Sequence, residues 1–359
     1  MRILILTNFD VGLYQFRREL IQTLLIKNEV FISLPYGELV EPLVEMGCLF
    51  IDTPMERRGM NPVKDGRLFA AYRRILREIK PELVICYTIK PNIYGGIACR
   101  LRHVPYAVNI TGLGTAFQKD GLLRKFVTFL YKTALGKAKV VFFENVEDRQ
   151  VFLDAGIIRE ERGCLLNGAG VNLEHFYPAD YPGDKKTRFL FIGRIMKEKG
   201  VDELFDAMKR LTAEGVDCSL DILGGFDEDY SGKIREYESE GWLKYWGYQE
   251  DVRPFIAASH CFVLPSWHEG MANTNLECAA SGRPVITSRI HGCMEAVEDG
   301  VTGFLCERKN AGSLYRAMKK FTELSFDERK AMGLAGRKRM EAIFDKKRVV
   351  HETMTRLME

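Results

Sequence analysis

The run Pro265-Ser266-Trp267-His268-Glu269-Gly270, followed by Glu277 and then by Ser281-Gly282-Arg283-Pro284, sets two carboxylates eight positions apart. One lies on a glycine-bearing loop and the other inside the next helical stretch. Together they can hold a polyhydroxylated ligand, such as a sugar or a ribose, at two points. Upstream, Gly193-Arg194-Ile195-Met196-Lys197-Glu198-Lys199-Gly200 follows an apolar run and precedes a helical segment over residues 201–211. A glycine at a strand end, two spaced cations and a helix N-terminus make an anion site, because the dipole and free N–H groups favour phosphate and Arg supplies a bidentate fork. A diphosphate fits such a site.

The elements that must position these residues are legible in the hydrophobic pattern. Short runs rich in Val, Ile and Phe over residues 3–6, 30–34, 83–87, 106–110 and 140–143 alternate with amphipathic segments of helix length. A second series covers 189–192, 219–223, 243–246, 261–264, 285–287 and 303–305. This alternation predicts α/β architecture with doubly wound parallel sheets, two Rossmann-like domains facing each other across a cleft. Turn formers concentrate at Asn167-Gly168-Ala169-Gly170 and at Pro182-Gly183-Asp184, which places the boundary near residue 175. The expected division is 1–175, 176–345 and a C-terminal helix over 346–359 packing across the junction. Open α/β sheets bind ligands at the carboxyl ends of their strands. Neither half carries a Gly-x-Gly-x-x-Gly fingerprint with its acidic partner, which weighs against a nicotinamide dehydrogenase, and no Walker A sequence occurs.

At 359 residues, with 46% hydrophobic and 28% charged side chains, the chain suits two soluble domains. No segment has the roughly 18 uninterrupted apolar residues of a membrane span. The opening Met1-Arg2 runs straight into an apolar strand, which reads as cytoplasmic. Nine scattered cysteines without a Cys-x-x-Cys pair predict buried thiols and no zinc. The net charge of +3 hides an asymmetry: Arg57 to Lys139 holds 17 Lys and Arg against 4 Asp and Glu, so this window carries +13 and the remainder −10. Two stretches inside it, 67–77 and 122–132, mix cations and apolar residues at helical spacing. Such helices either bind an anionic membrane surface or cover a sheet with one face and solvate the other. Nucleic acid is set aside, since no recognition motif accompanies the charge.

Gly193-Arg194 with Lys199-Gly200, Asp251-Val252, Pro265-Ser266 with Glu269-Gly270 and Glu277, and Gly292 with Glu295, Asp299-Gly300 and Gly303-Phe304-Leu305 stand in an order that resembles the retaining glycosyltransferases of family 4. The likeness spans essentially the whole second half. In the first half, Thr88-Ile89-Lys90-Pro91-Asn92-Ile93-Tyr94-Gly95 and Thr111-Gly112-Leu113-Gly114 resemble members that extend lipid-linked sugars for bacterial polysaccharides or protein glycans. The resemblance implies a GT-B fold with a nucleotide-sugar donor, UDP-linked, held mainly by the second domain. It implies that Arg194 and Lys199 neutralise the donor diphosphate, that Glu269 contacts the transferred sugar, and that Glu277 hydrogen-bonds the ribose. Gly193 and the backbone N–H groups of Gly270, Met271, Ala272 and Asn273 complete the donor site. Gly12, after the first strand, lets the backbone approach the donor or acceptor. No cofactor and no metal is expected, and Asp227-Glu228-Asp229 reads as a solvated acidic turn.

Many family members place a histidine after the fourth strand, where this chain has Lys90. Lys90, with Arg17 and Asn92, is therefore assigned to acceptor binding or to the developing charge. His268 and His291 are candidates to line the cleft, while His103 and His175 read as structural. Glu269 is read as positioning the sugar, with a covalent nucleophile as the other possibility. The expected partners are a nucleotide sugar, a lipid-linked or soluble glycan acceptor and an anionic membrane surface, with the protein peripheral on the cytoplasmic membrane. Two rivals are a nucleotide-sugar epimerase of the same fold and a noncatalytic donor-binding subunit; conversion of donor without acceptor marks the first.

Overall fold

The computed structural model describes residues 1–56, 59, 61–114, 117 and 121–359. The chain forms two compact units, residues 1–169 with 347–359, and residues 170–346. Unit 1 holds seven parallel strands: β1 (Arg2–Leu6), β2 (Glu29–Leu34), β3 (Leu49–Asp52), β4 (Leu83–Tyr87), β5 (Tyr106–Ile110), β6 (Val140–Phe143) and β7 (Gly163–Leu165), in the order β3-β2-β1-β4-β5-β6-β7. Unit 2 holds six: β8 (Thr187–Ile192), β9 (Cys218–Leu223), β10 (Leu243–Tyr245), β11 (Cys261–Leu264), β12 (Val285–Ser288) and β13 (Gly303–Cys306), in the order β10-β9-β8-β11-β12-β13. The expected pair of parallel α/β sheets is present, each with helical crossovers between its strands.

The physical reason is double-sided burial. Every residue of β4, β5, β6, β11 and β12 is buried, so these strands read as unbroken apolar runs and must be covered on both faces. Strand alternation then sorts unit 1 into two cores. Leu4, Leu6, Val84, Cys86 and Val108 point to one face, against Leu68, Tyr72, Ile75 and Tyr131. Ile3, Ile5, Ile32, Ile85 and Phe142 point to the other, against Leu13, Leu20 and Leu24. The C-terminal helix Lys346–Met358 joins this second core through Leu357, with Val350 and Met354 beside it, and Lys139 Nζ donates to Leu357 O at 2.9 Å. The nine cysteines are free thiols, eight buried and Cys164 half-buried.

In each sheet the strand order reverses once, between β1 and β4 in unit 1 and between β8 and β11 in unit 2. The crevice beyond the carboxyl ends at such a reversal is where open α/β sheets take ligands. Residues 193–200 follow β8 and residues 265–270 follow β11, so the two chemistry-bearing stretches of unit 2 flank its reversal.

Candidate functional site

Glycine positions and backbone hydrogen bonds zip these two loops together. Gly200 has φ +74°, and a Cβ there would lie 2.1 Å from Pro265 O. Only glycine permits both the left-handed backbone and that approach. Trp267 N donates to Glu198 O at 2.8 Å, and Trp267 Nε1 donates to Glu203 Oε1 at 3.2 Å. On its other side the 265–270 loop rests on Gly292, φ +85°, whose Cβ would meet Glu269 O at 2.5 Å. The result brings Lys199 Nζ to 2.5 Å from Glu269 Oε1, with the two side chains only 18% and 12% exposed. Two residues 70 positions apart thus share one proton-bearing contact in a partly desolvated spot.

Arg194 lies at the same end of the sheet and is half-exposed, its Nη1 donating to Asp227 Oδ2 at 2.7 Å. The turn Asp227-Glu228-Asp229 is exposed, as expected of a solvated acidic turn, and its carboxylates also make local contacts. Asp227 takes Arg194, Glu228 Oε2 accepts from Lys197 N at 2.9 Å, and Asp229 Oδ1 accepts from Ser231 Oγ at 2.7 Å. The turn therefore braces the cation loop, because β8 and β9 are parallel neighbours and their carboxyl ends meet. Gly193 N donates to Leu223 O at 3.0 Å, and a Cβ on Gly224 would lie 2.0 Å from Gly193 O.

Helix Asn273–Ala280 begins directly after Gly270, Met271 and Ala272. The N–H groups of Asn273 and Thr274 in its first turn lack intrahelical acceptors and carry the positive end of the dipole, while Asn275 N donates to Ala272 O at 2.9 Å. Asn273 Oδ1 is buried and has no hydrogen-bond partner among the described residues, consistent with a position kept for a ligand donor. One expectation fails here: Ala272 N–H is not free, since it donates to Gly292 O at 2.7 Å. Met271 and Ala272 are buried, so their side chains pack and do not present to a ligand. His291 Nδ1 stands 2.7 Å from Glu295 Oε1, and Glu295 Oε2 accepts from Gly292 N at 2.7 Å, which fixes the loop under Glu269.

Glu277 is half-buried on this helix, and its carboxyl has no hydrogen-bond partner among the described residues. Burial pushes its pKa up to about 7, offset in part by the Lys346 ammonium. A diol donating two hydrogen bonds would compensate that carboxylate. The raised value also fixes a sign: the folded protein holds this proton more tightly than the unfolded chain, so the contribution to stability is complete below the ordinary glutamate range and is lost as pH rises through about 7. Glu277→Gln is expected to stabilise the fold by about 1–3 kcal/mol at pH 8 and by little at pH 5, at about 1.4 kcal/mol per pH unit of separation. Urea unfolding at both pH values checks this, and equal changes at the two would exclude it.

In unit 1 the assigned residues surround the carboxyl ends of β1 and β4. Gly12 sits in the first turn of helix Asp10–Leu25, and a Cβ there would meet Phe9 Cζ at 2.6 Å, which is a packing reason for glycine. Arg17, expected at an acceptor, is 8% exposed; its Nη2 lies 2.5 Å from Glu144 Oε1, and its guanidinium sits 5.2 Å from the Tyr87 ring centre. Asn92, also expected there, is 1% exposed and donates to Asn109 O at 2.8 Å, tying the turn Pro91–Gly95 to β5. Burial removes Asn92 from direct ligand contact and makes it a brace. Lys90 Nζ lies 2.9 Å from Asp65 Oδ1, and both side chains are nearly buried. Burial, together with the nearby Asp65 carboxylate, pushes the Tyr94 phenol up to about 12. Between β4 and Lys90, Thr88 has φ +72°, costly for a β-branched residue, and its Oγ1 is buried without a hydrogen-bond partner among the described residues.

Asp65 and Glu144 are residues that motif reading missed; each is recognised only by the cation it meets. Among the described residues no group of three or more His, Cys, Asp or Glu is placed to hold a metal ion, and no helix is long and apolar enough to cross a membrane.

Residues 178–339 match the family model "Glycosyl transferases group 1", and residues 36–145 match "Glycosyl transferase 4-like". The chain is 27% identical over 361 residues, 96% of this chain and 94% of the relative, to N,N'-diacetylbacillosaminyl-diphospho-undecaprenol alpha-1,3-N-acetylgalactosaminyltransferase of Campylobacter jejuni. It is 32% identical over 259 residues, 70% of this chain and 68% of the relative, to the uncharacterized glycosyltransferase MJ1178 of Methanocaldococcus jannaschii. The crystal structure of Anabaena Alr3699/HepE in complex with UDP and glucose shares its fold over the full length of both chains, with a TM-score of 0.82 at 18% identity. The GT-B architecture, the motif order and these relatives converge: the chain belongs to the group 1 glycosyltransferases.

Proposed function

We propose that this glycosyltransferase is a retaining enzyme that moves a sugar from a UDP-linked donor to a polyprenyl-diphosphate-linked sugar in the assembly of a cell-surface glycan, at the cytoplasmic face of the membrane. The observation that carries the reading is the contact of Lys199 with Glu269, beside Arg194 and the first-turn amides of helix Asn273–Ala280. The name of the Campylobacter relative supports the acceptor class and an α linkage.

Breaking the glycosidic bond puts negative charge on the departing diphosphate. Lys199, Arg194 and the helix amides stabilise that charge where it develops. Glu269 releases Lys199 to the phosphate and takes a sugar hydroxyl, orienting the ring so that the acceptor attacks from the face the diphosphate leaves. The unpaired carboxyl of Glu277 receives the ribose hydroxyls. Fixed cations fill the role of a divalent ion, so turnover should persist in EDTA.

The test is product formation by the purified chain with a panel of UDP- and GDP-sugars against diphosphate-lipid-linked sugars, with and without chelator. An α-linked product dependent on a UDP-sugar supports the reading. Donor conversion without acceptor would mean an epimerase, no turnover by the chain alone a donor-binding subunit, and chelator loss restored by Mn²⁺ a metal-dependent enzyme.

A further inference from the structure

The structure separates the two basic amphipathic segments that the sequence leaves equivalent. In helix Pro62–Ile79 the apolar residues Leu68, Tyr72, Ile75 and Leu76 are buried, and the outward positions Arg67, Arg73, Arg74 and Arg77 are polar. That helix covers its sheet and solvates its other side. Helix Leu122–Leu135 differs. Val127, Tyr131, Ala134 and Leu135 supply its buried stripe, yet Leu122, Phe126 and Phe129 stand 86%, 51% and 63% exposed. Their i, i+4, i+7 spacing stacks them in one row on the face opposite the core. Leu123, 46% exposed, extends the apolar area at the N-terminal end.

Lys125 and Lys132 flank this row, are exposed, and make no ion pair among the described residues. Together with Phe129 they border an open groove of about 450 Å³. An apolar ridge left exposed by the described residues of its own unit, edged by cations without an ion pair among those residues, fits one kind of surface. Acyl chains accept the Phe and Leu side chains, and anionic headgroups accept the ammonium groups. An apolar protein groove would satisfy the ridge but leave the lysines without partners. At 14 residues the helix is about 21 Å long, enough to lie flat in the headgroup region.

We infer that the outer face of helix Leu122–Leu135 seats unit 1 on an anionic bilayer, with Leu122, Phe126 and Phe129 inserted and Lys125 and Lys132 on the headgroups. The inference deepens the membrane-face part of the proposed function. It does not depend on the identity of donor or acceptor, so the two can fail separately.

Flotation of the full-length protein with vesicles of phosphatidylcholine, alone or with about a third phosphatidylglycerol, tests it. Partition onto the anionic vesicles is expected to exceed that onto neutral ones by about tenfold and to fall at high salt. Phe126→Ser/Phe129→Ser should lower partition at least about tenfold, and Lys125→Glu/Lys132→Glu should erase the preference for anionic lipid. Arg73→Glu/Arg74→Glu, on the helix without an apolar ridge, should change partition less than about threefold. Phe129→Trp gives a second reading that requires no loss of side chain: its difference emission should shift to shorter wavelength on anionic vesicles only. Transfer to a short-chain, water-soluble acceptor by Phe126→Ser/Phe129→Ser confirms that the fold is intact. Absence of partition, partition unchanged in that variant, or a lipid-free dimer that the variant dissolves would overturn the inference, the last by assigning the ridge to a second copy of the chain.

Discussion

Lys199→Ala lowers kcat/KM by about 10²–10³-fold, the usual cost of removing one preorganised donor from developing charge. The effect is expected on kcat more than on KM, because Lys199 is paired with Glu269 at 2.5 Å without a donor and, in the proposed mechanism, gains a phosphate partner only as the reaction proceeds. A purely structural role predicts something else. Both side chains are largely buried, so removal of either leaves a partly desolvated charge and costs about 1–3 kcal/mol of stability. The exchange Lys199→Glu/Glu269→Lys separates the two explanations. It keeps an ion pair at the same place, so thermal unfolding should shift by only a few degrees, while it puts a carboxylate at the proposed diphosphate position. Turnover should then fall further than in Lys199→Ala. Activity retained in either variant would remove Lys199 from the chemistry, and a raised KM with unchanged kcat in Glu269→Ala would reduce Glu269 to uniform binding.

How far the sequence discloses this site depends on what kind of information each residue needs. Glu269, Lys199 and Arg194 are legible because loop glycines and a helix start surround them, and the spacing of such signals along the chain is itself the evidence. Asp227 is not, since its meeting with Arg194 follows from the parallel pairing of β8 with β9 and not from any local pattern. Arg17 and Asn92 lie on the expected elements but point inward, and side-chain direction at a strand end is not a property of sequence spacing. The same logic governs the strands. Those buried on both faces appear as apolar runs, whereas β3 and β7, at opposite edges of the first sheet, have no buried residue and go unread. The helix Leu122–Leu135 is a third case: its periodicity is visible, but which of its two apolar stripes the core uses is decided only by packing.

Asp65→Asn is expected to destabilise unit 1 by about 3–5 kcal/mol, because it leaves the Lys90 ammonium nearly buried with its carboxylate partner gone. Asp65 and Lys90 are 25 positions apart, and they meet because the first turn of helix Pro62–Ile79 lies against the residues that follow β4. Stability alone would not give Lys90 a function, since buried pairs can be replaced by apolar residues at little cost. The double replacement Asp65→Leu/Lys90→Met therefore serves as the deciding variant. It removes both charges at similar volume, so urea unfolding should recover to within about 1–2 kcal/mol of the parent. If Lys90 meets the acceptor phosphate or the developing charge, as its place beside the strained Thr88 suggests, this well-folded variant should still lose about tenfold or more in kcat/KM for a diphosphate-linked acceptor. Its affinity for UDP should stay unchanged, because the proposed donor contacts are residues of the other unit. Full transfer activity in the double variant would make the pair a structural strut, and Lys90 would then have no part in the reaction.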